Sequence, residues 1–447
     1  MSEKPTISLR QALPVWIRVA IYSFGGPAGQ MAVMHNILVE EKRWISEKRF
    51  LHALNYTMLL PGPEAQQLAT YIGWLLHGMR GGLIAGTLFI LPGFASILAL
   101  SYLYAGFQDL QTVQALFFGL KPAVMAIVVE AVFRIGSRAI TNRVMLAVAA
   151  LAFVAILFLQ IPFPWIVFTA ALFGYLLGRF RPQLFPDQEE SAAIENDLVS
   201  SYANHTQPSL RRAILIIVIC LALWFGPIAL LAQNLGADNI FVTIGLFFSK
   251  TAVVTFGGAY AVLAYIAQQA VEVFGWLQPG QMLDGLGMAE TTPGPLIQVV
   301  QFVGFMGAFQ NPGNLSPLMA GLYASILTTW VTFVPCFLWI FLGAPYVENL
   351  RGNRSLSTAL AAITAAVVGV VLNLALWFSL QTLFTELNEV YFGPLRFLVP
   401  NLATLDWASL LIALAAFIAL FRYKVTMIKT LAFSAAAGFV YYLIFLA

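Results

Sequence analysis

Four clusters of glycine and proline interrupt apolar stretches of the chain: Gly25-Gly26-Pro27, Pro61-Gly62-Pro63, Gly257-Gly258 and Pro293-Gly294-Pro295. Each is followed by residues fit to start a helix, from Ala28, Glu64, Ala259 and Leu296, and Pro63 and Pro295 suit the first helical position. A helix start presents unpaired N–H groups and the positive end of the helix dipole, so it attracts anions. Glycine lets an anion approach the backbone with no Cβ in the way. One such break reads equally well as a plain kink or as close helix packing. Four in matched pairs point to a single anion-binding centre.

The side chains around the breaks fit that chemistry. Arg18 and Lys250 each lie six residues before the phenylalanine of a Phe-Gly-Gly turn, Phe24 or Phe256, and Ser23 and Thr255 immediately precede those turns. Gln66 and Gln298 lie about one turn into the helices after Pro63 and Pro295. These six, with Gly25, Gly26, Gly62, Gly257, Gly258, Gly294 and Lys121, are the candidate substrate ligands. The structural alternatives are snorkelling or pairing for Arg18 and Lys250, packing for the hydroxyls and amides, and pairing with Asp109 for Lys121. Three carboxylates in apolar surroundings, Glu64, Glu290 and Glu130, are candidates for coupling transport to protons, since ionisable groups at membrane depth need a function or a partner. Glu64 can act as a first-turn acid that favours the dipole, or as a group that competes with the anion and titrates.

Other chemistry finds little support. The sequence has no H-E-x-x-H, no G-x-S-x-G and no C-x-x-C motif. Cys220 and Cys336 lie in apolar runs and read as small hydrophobes, and His35, His52, His77 and His205 fall at segment edges or in a linker. An enzyme, a metal site and a cofactor are therefore not expected. A formal net charge of +3 does not call for nucleic acid.

The elements that must hold these residues are membrane helices. Hydrophobic residues make up 60% of the 447 and charged residues only 10%, against roughly 25% charged in a soluble domain. Apolar runs near the length needed to cross a bilayer fall at 82–106, 111–134, 144–161, 163–179, 211–232, 317–345, 355–385, 402–421 and 425–446. Four more, at 12–39, 50–77, 239–271 and 280–308, contain the breaks. The polar N-terminus lacks a signal-peptide pattern, so the first apolar segments are expected to drive insertion. The polar stretch at about 180–210 reads as a cytoplasmic linker, which makes glycosylation of its Asn204 sequon improbable.

The chain also repeats itself. Phe24-Gly25-Gly26, Glu40, Trp44, Pro61-Gly62-Pro63 and Gln66 recur 232 positions later, while Pro92, Phe94 and Ala123-Val124 recur at 243, after an 11-residue insertion. The run at 211–232 has no counterpart, and a single extra crossing between equal halves inverts them. The expectation is an all-α polytopic membrane protein of two inverted homologous halves. Its parts are a first repeat at 1–180, a linker at 181–210, a linking transmembrane helix at 211–236 and a second repeat at 237–447. The broken segments either span, giving thirteen crossings, or are re-entrant hairpins that turn at the midplane. With the N-terminus cytoplasmic, hairpins keep Lys42, Arg43, Lys48 and Arg49 inside, so the positive-inside rule favours them. The same rule puts Arg80, Arg134, Arg138 and Arg143 in the cytoplasm or at its edge.

The stretch from Ser23 to Gly86, with FGGPAGQ (24–30), EEKRWISEKRF (40–50), LLPGPEAQQLATYIGWLLHG (59–78) and RGG (80–82), resembles the chromate ion transporter family. The second half, with TFGGAYAVLAYI (255–266) and ETTPGPLIQ (290–298), resembles that family's C-terminal domain. The resemblance covers nearly the whole chain in the two-domain form. It implies a bacterial or archaeal inner-membrane protein that exports chromate, lowers chromate toxicity and draws on the membrane potential or the proton gradient. Sulfate is the competing analogue, and a homodimer is one candidate assembly. Exchange or uptake of sulfate or another oxyanion, and an anion channel, are the alternatives.

Overall fold

The computed structural model describes residues 7–24, 26–58, 60–107, 110–180, 209–256, 259–346 and 354–445. Gly25, Gly257, Gly258, Asp109 and nearly all of the linker at 181–210 lie outside them. In chain order the helices of the first half are α1 (Leu9–Tyr22), α2 (Gly26–His35, prolonged as a π-helix to Glu41), α3 (Glu47–Thr57), α4 (Glu64–Phe107), α5 (Gln111–Ala139), α6 (Arg143–Leu157) and α7 (Phe163–Phe180). The linking helix is α8 (Leu210–Leu235). The second half comprises α9 (Ile240–Val254), α10 (Ala259–Gln268, prolonged to Val273), α11 (Pro279–Thr291), α12 (Val299–Gln310), α13 (Pro317–Gly343), α14 (Arg354–Leu383), α15 (Trp407–Phe417, prolonged to Arg422) and α16 (Met427–Phe445). Among the described residues, seven helices are long and apolar enough to cross a membrane: α4, α5, α7, α8, α13, α14 and α16.

The broken segments fold back on themselves. Arg18 and Glu41 form a two-pronged ion pair at 2.6 and 3.0 Å across 23 residues, which a straight helix would hold about 35 Å apart. Across the next break the rings of Tyr56 and Tyr71 lie 5.2 Å apart. In the second half Lys250 Nζ stands 5.6 Å from the centre of the Tyr265 ring, and the Phe302 ring packs on Gly285. Each break is thus the tip of a hairpin, as the loop charges suggest. In α4 the first leg ends at a kink where Gly78 takes φ +62°, and the remainder is a full span. His77 at that kink meets the Ile7 carbonyl at 2.8 Å, so the leg ends beside the start of α1.

The halves run in opposite directions. Met145 of α6 packs with Ala362 and Ala365 of α14, the Ala149 backbone lies against Gly369, and Ile156 lies near Leu374 and Trp377, so the two helices are parallel. The short turn after Ala139 makes α5 antiparallel to α6, hence antiparallel to α14, its own repeat mate. Each mate is wrapped by the other half's last two helices: α14 by α6 and α7, and α5 by α15 and α16. Small residues permit the approach. Gly119 meets Gly438, and Gly174 meets Ala362.

Two details differ from the sequence reading. A β-hairpin, β1 (Leu387–Phe392) and β2 (Leu395–Pro400), follows α14. It is tied to the bundle by the Arg396 N–H, which donates to the Phe158 carbonyl at 2.9 Å. The apolar run at 402–421 begins its α-helix only at Trp407, where Asp406 caps the first turn.

Candidate functional site

The tips of the hairpins bond to each other across the repeat. The Gly62 N–H donates to the Thr255 carbonyl at 2.7 Å, and the Gly294 N–H donates to the Ser23 carbonyl at 3.0 Å. The two bonds are repeat mates, so each Pro-Gly-Pro turn is held by the Phe-Gly-Gly turn of the opposite half. The glycines take φ +125° and +99°, which other residues rarely adopt. Cys336 lies against Gly62, and Gly93, the repeat mate of Cys336, lies against Gly294. Gln30 completes the junction by donating to the Gly294 carbonyl at 2.6 Å.

These bonds and others engage several of the groups expected to act as ligands. The N–H groups of Gly62 and Gly294 are spent on the turns. Ser23 and Thr255 donate their hydroxyls back to Val19 and Thr251, both at 2.6 Å. The Gln66 amide nitrogen donates to Thr70 at 3.1 Å, and that of Gln298 to Gln301 and Thr329 at 2.6 and 3.0 Å. All four are buried parts of the scaffold. Arg18 is exposed and paired with Glu41, and Lys250 is exposed over Tyr265. Lys121 pairs with Asp284 at 3.6 Å. Each of these three cations thus meets a side chain other than those of the Gly62 and Gly294 turns.

A cavity of about 420 Å³ does reach them, within the range typical of small-ligand sites. Its floor holds the first residues of three helices: Pro27 of α2, Glu64 of α4, and Ala259 and Tyr260 of α10. Gly26, at φ +70°, lies beside the Tyr260 hydroxyl and the Glu290 carboxylate. Two arginines one turn apart on α5, Arg134 and Arg138, line the wall, with Met58, Ala361 and Thr364 also facing the space. Arg134 bonds Glu130 at 2.8 Å, while Arg138 is exposed and has no ion-pair partner among the described residues. The cavity therefore runs from Arg138 and Thr141 at the surface down to the buried helix starts.

Of the three coupling candidates Glu64 lines the cavity, while Glu290 and Glu130 each bond a residue that does, Tyr260 and Arg134. Glu64 is buried in the cavity wall, and no side-chain partner meets its carboxylate among the described residues. Glu290 accepts a short hydrogen bond from Tyr260, and its second oxygen, Oε2, is buried without a partner. Glu130 sits at the margin through Arg134. Three of the four helix starts expected to converge line this cavity, whereas the one after Pro295 does not: Leu296–Gln298 form a buried 3-10 turn and the α-helix begins only at Val299. Arg134, Arg138 and Tyr260 were not among the expected site residues. Their signal was two arginines at i and i+4 on an apolar helix that also holds Glu130, a face too charged for lipid.

A family model described as chromate transporter matches residues 11–175 and 242–439. The chain is 31% identical over 373 residues to the chromate transport protein of Pseudomonas aeruginosa, covering 82% of this chain and 80% of the relative. It is 28% identical over 368 residues to the chromate transport protein of Cupriavidus metallidurans, covering 82% of each. An uncharacterised transporter of Methanocaldococcus jannaschii matches at 24% over 366 residues, 82% of this chain and 83% of the relative. No solved structure matches the chain. With the model spanning both halves, the chain belongs to the chromate transporter family.

Proposed function

We propose that the protein exports chromate across the bacterial or archaeal inner membrane and so confers chromate resistance. The anion binds in the cavity between the Arg134 and Arg138 guanidinium groups and the starts of α2, α4 and α10. Guanidinium forks match a tetrahedral oxyanion two bonds at a time, and the helix starts add fixed positive potential without a mobile charge. The observation that supports this most is the pair of arginines facing three helix starts in one cavity. The names of the relatives supply chromate as the cargo.

With the N-terminus cytoplasmic, as the positive-inside rule favours, the cavity faces the cytoplasm and stands ready to load cargo for export. Glu64 supplies the link to protons. Its negative charge opposes the anion at the same helix start, so a proton on Glu64 and chromate in the cavity favour each other; the two leave together, and the membrane potential acting on their net negative charge drives the step. Sulfate has the same shape and charge and binds as a competitor.

The test is chromate flux in vesicles containing the purified protein, with an imposed pH gradient and graded sulfate. Saturable chromate flux that follows the pH gradient supports coupled export. Sulfate flux that outpaces chromate would make sulfate the cargo, and unsaturable flux indifferent to the gradient would make the protein a channel.

A further inference from the structure

The two halves are inverted copies, yet the structure holds them in different arrangements. In the first half α3 stands off α14, and the cavity lies between them, with Met58 on one side and Ala361 and Thr364 on the other. In the second half the mate of α3, α11, packs directly on the mate of α14, α5. The ideal Cβ position of Gly287 on α11 lies 3.4 Å from Val124 and 3.9 Å from the Leu120 Cβ on α5. One gap is open and its mate is shut.

What shuts it is chemically distinctive. Lys121 occupies the repeat position of the cavity residue Thr364, 243 places away. Its ammonium lies 3.6 Å from Asp284, which is buried on α11 and also accepts from the Tyr104 hydroxyl at 2.8 Å. The Lys121 Nζ stands against Gly280, in the first turn of α11. The positive end of a helix is an unfavourable place for a cation and a favourable one for an anion. Asp284 is the only acidic group meeting Lys121 among the described residues, and its Oδ1 is buried without a hydrogen bond. Lys121 keeps about a third of its side chain exposed.

We propose that Lys121, together with the first turn of α11, is a second oxyanion site on the far face, uncovered when α11 moves off α5 and Asp284 leaves it. The proposal rests on the Arg134 cavity taking the oxyanion on the near face. Exchanging the arrangements of the halves shuts the gap between α3 and α14 and opens the one between α11 and α5. Inverted repeats give two such states nearly equal contacts. The far site then has one ammonium where the near site has two guanidinium groups, so it holds the anion less tightly and favours release.

The test locks the gap. Gly287→Cys with Leu120→Cys places two Cβ atoms about 3.9 Å apart, inside the disulfide range of about 3.5–4.5 Å. Oxidation should stop chromate flux in vesicles, reduction should restore it, and chromate binding by calorimetry should persist in both. Wild-type protein, whose two cysteines are buried, serves as the oxidised control. Full flux in the cross-linked protein overturns the far site alone, whereas loss of binding in the reduced protein as well overturns the near-face cavity on which it rests. A second variant separates binding from structure. Lys121→Gln with Asp284→Asn leaves no buried unpaired charge, so a merely structural pair would be restored to normal flux. Flux lowered about tenfold with near-face binding intact supports the site, and normal flux refutes it.

Discussion

The N–H of Gly62 donates to the carbonyl of Thr255 at 2.7 Å, joining the tip of a first-half hairpin to the tip of a second-half one. With its mate from Gly294 to Ser23, it makes the junction of the hairpin tips a single unit built from both halves. Gly62 and Gly294 are buried, so each turn depends on the other half to satisfy its N–H. The cavity rests on this unit, with Pro27, Glu64 and Ala259 all belonging to the joined tips or the helices they start.

Gly62→Ala and Gly294→Ala should each destabilise the protein by about 1–3 kcal/mol. At φ +125° a Cβ on Gly62 would lie 2.8 Å from the Gln67 amide and 2.9 Å from Cys336. On Gly294 it would lie 3.0 Å from the Gly93 Cα, where backbone cannot yield. Thermal unfolding in detergent, with wild type as reference, measures the loss. The Gly294 variant should be the worse of the two, since a side chain can move and a backbone cannot.

Arg134→Gln and Arg138→Gln should each weaken chromate binding roughly ten- to a hundredfold, the loss of about 1.5–3 kcal/mol for a charged hydrogen bond. Lysine in either place should recover only part, because a point charge lacks the two-pronged fork. Glu130→Gln should act in the opposite direction. It frees Arg134 from its 2.8 Å bond and should tighten binding. Calorimetric titration of the three variants with chromate decides between these signs.

Arg18→Gln and Lys250→Gln should leave chromate affinity within about twofold of wild type. Arg18 belongs to an exposed pair with Glu41, and such pairs contribute roughly 0–1 kcal/mol to stability. Lys250 is exposed above the Tyr265 ring, away from the cavity. Their matched spacing before the Phe-Gly-Gly turns reflects the duplication and the need to anchor a hairpin's first leg. A tenfold loss of affinity in either variant would return them to the anion path.

The repeat was legible because Gly, Pro and Trp are rare enough in fixed spacing to be recognised, and the fold-back of the broken segments because cations crowd one loop. Which cations face the anion was not. The positive-inside rule assigns Arg134 and Arg138 to an interface by counting charges along the chain, and it says nothing of which way a helix face points. Only the packing of α2, α3 and α14 around that end of α5 turns the interface into a cavity wall. The β-hairpin was legible in principle, since Val390, Tyr391, Phe392 and Phe397 flank Gly393-Pro394. Its short strands fall between two apolar runs, where a connecting loop is the ordinary expectation.

That hairpin should open in acid. The Tyr391 hydroxyl and then Arg396 hold the Glu389 carboxylate below its ordinary value near 4.5, and Arg396 also reaches Glu272 at 3.4 Å. A carboxylate whose folded value is depressed adds stability above its unfolded value, and that stability is lost as pH falls through the folded one. Proteolysis within 387–400 should therefore stay slow from neutral pH down to about 5 and quicken below about 4. Arg396→Met should quicken it at neutral pH, and equal cleavage rates at all pH values would refute the anchoring role.

Chromate binding should tighten as pH falls, and Glu64→Gln should remove that dependence. Glu64 is the first residue of α4, lines the cavity and meets no cationic partner among the described residues. Ionised, it repels a dianion bound at the same helix start. Protonated, it does not, and a protonated carboxyl can donate to the anion. Glutamine imitates the protonated form, so Glu64→Gln should bind at all pH values as tightly as wild type does in acid. Glu290→Gln should keep the slope, because Glu290 lies behind Tyr260 and does not line the cavity. Flux should respond in the reverse sense to affinity: a carboxyl that can no longer lose its proton cannot expel the anion, so Glu64→Gln should load chromate and turn over slowly. Binding measured from pH 5 to 8 with sulfate, which stays a dianion over that range while chromate takes up a proton, and flux measured on the same preparation test both halves of this reading; a wild-type slope retained by Glu64→Gln would move the coupling role to Glu290.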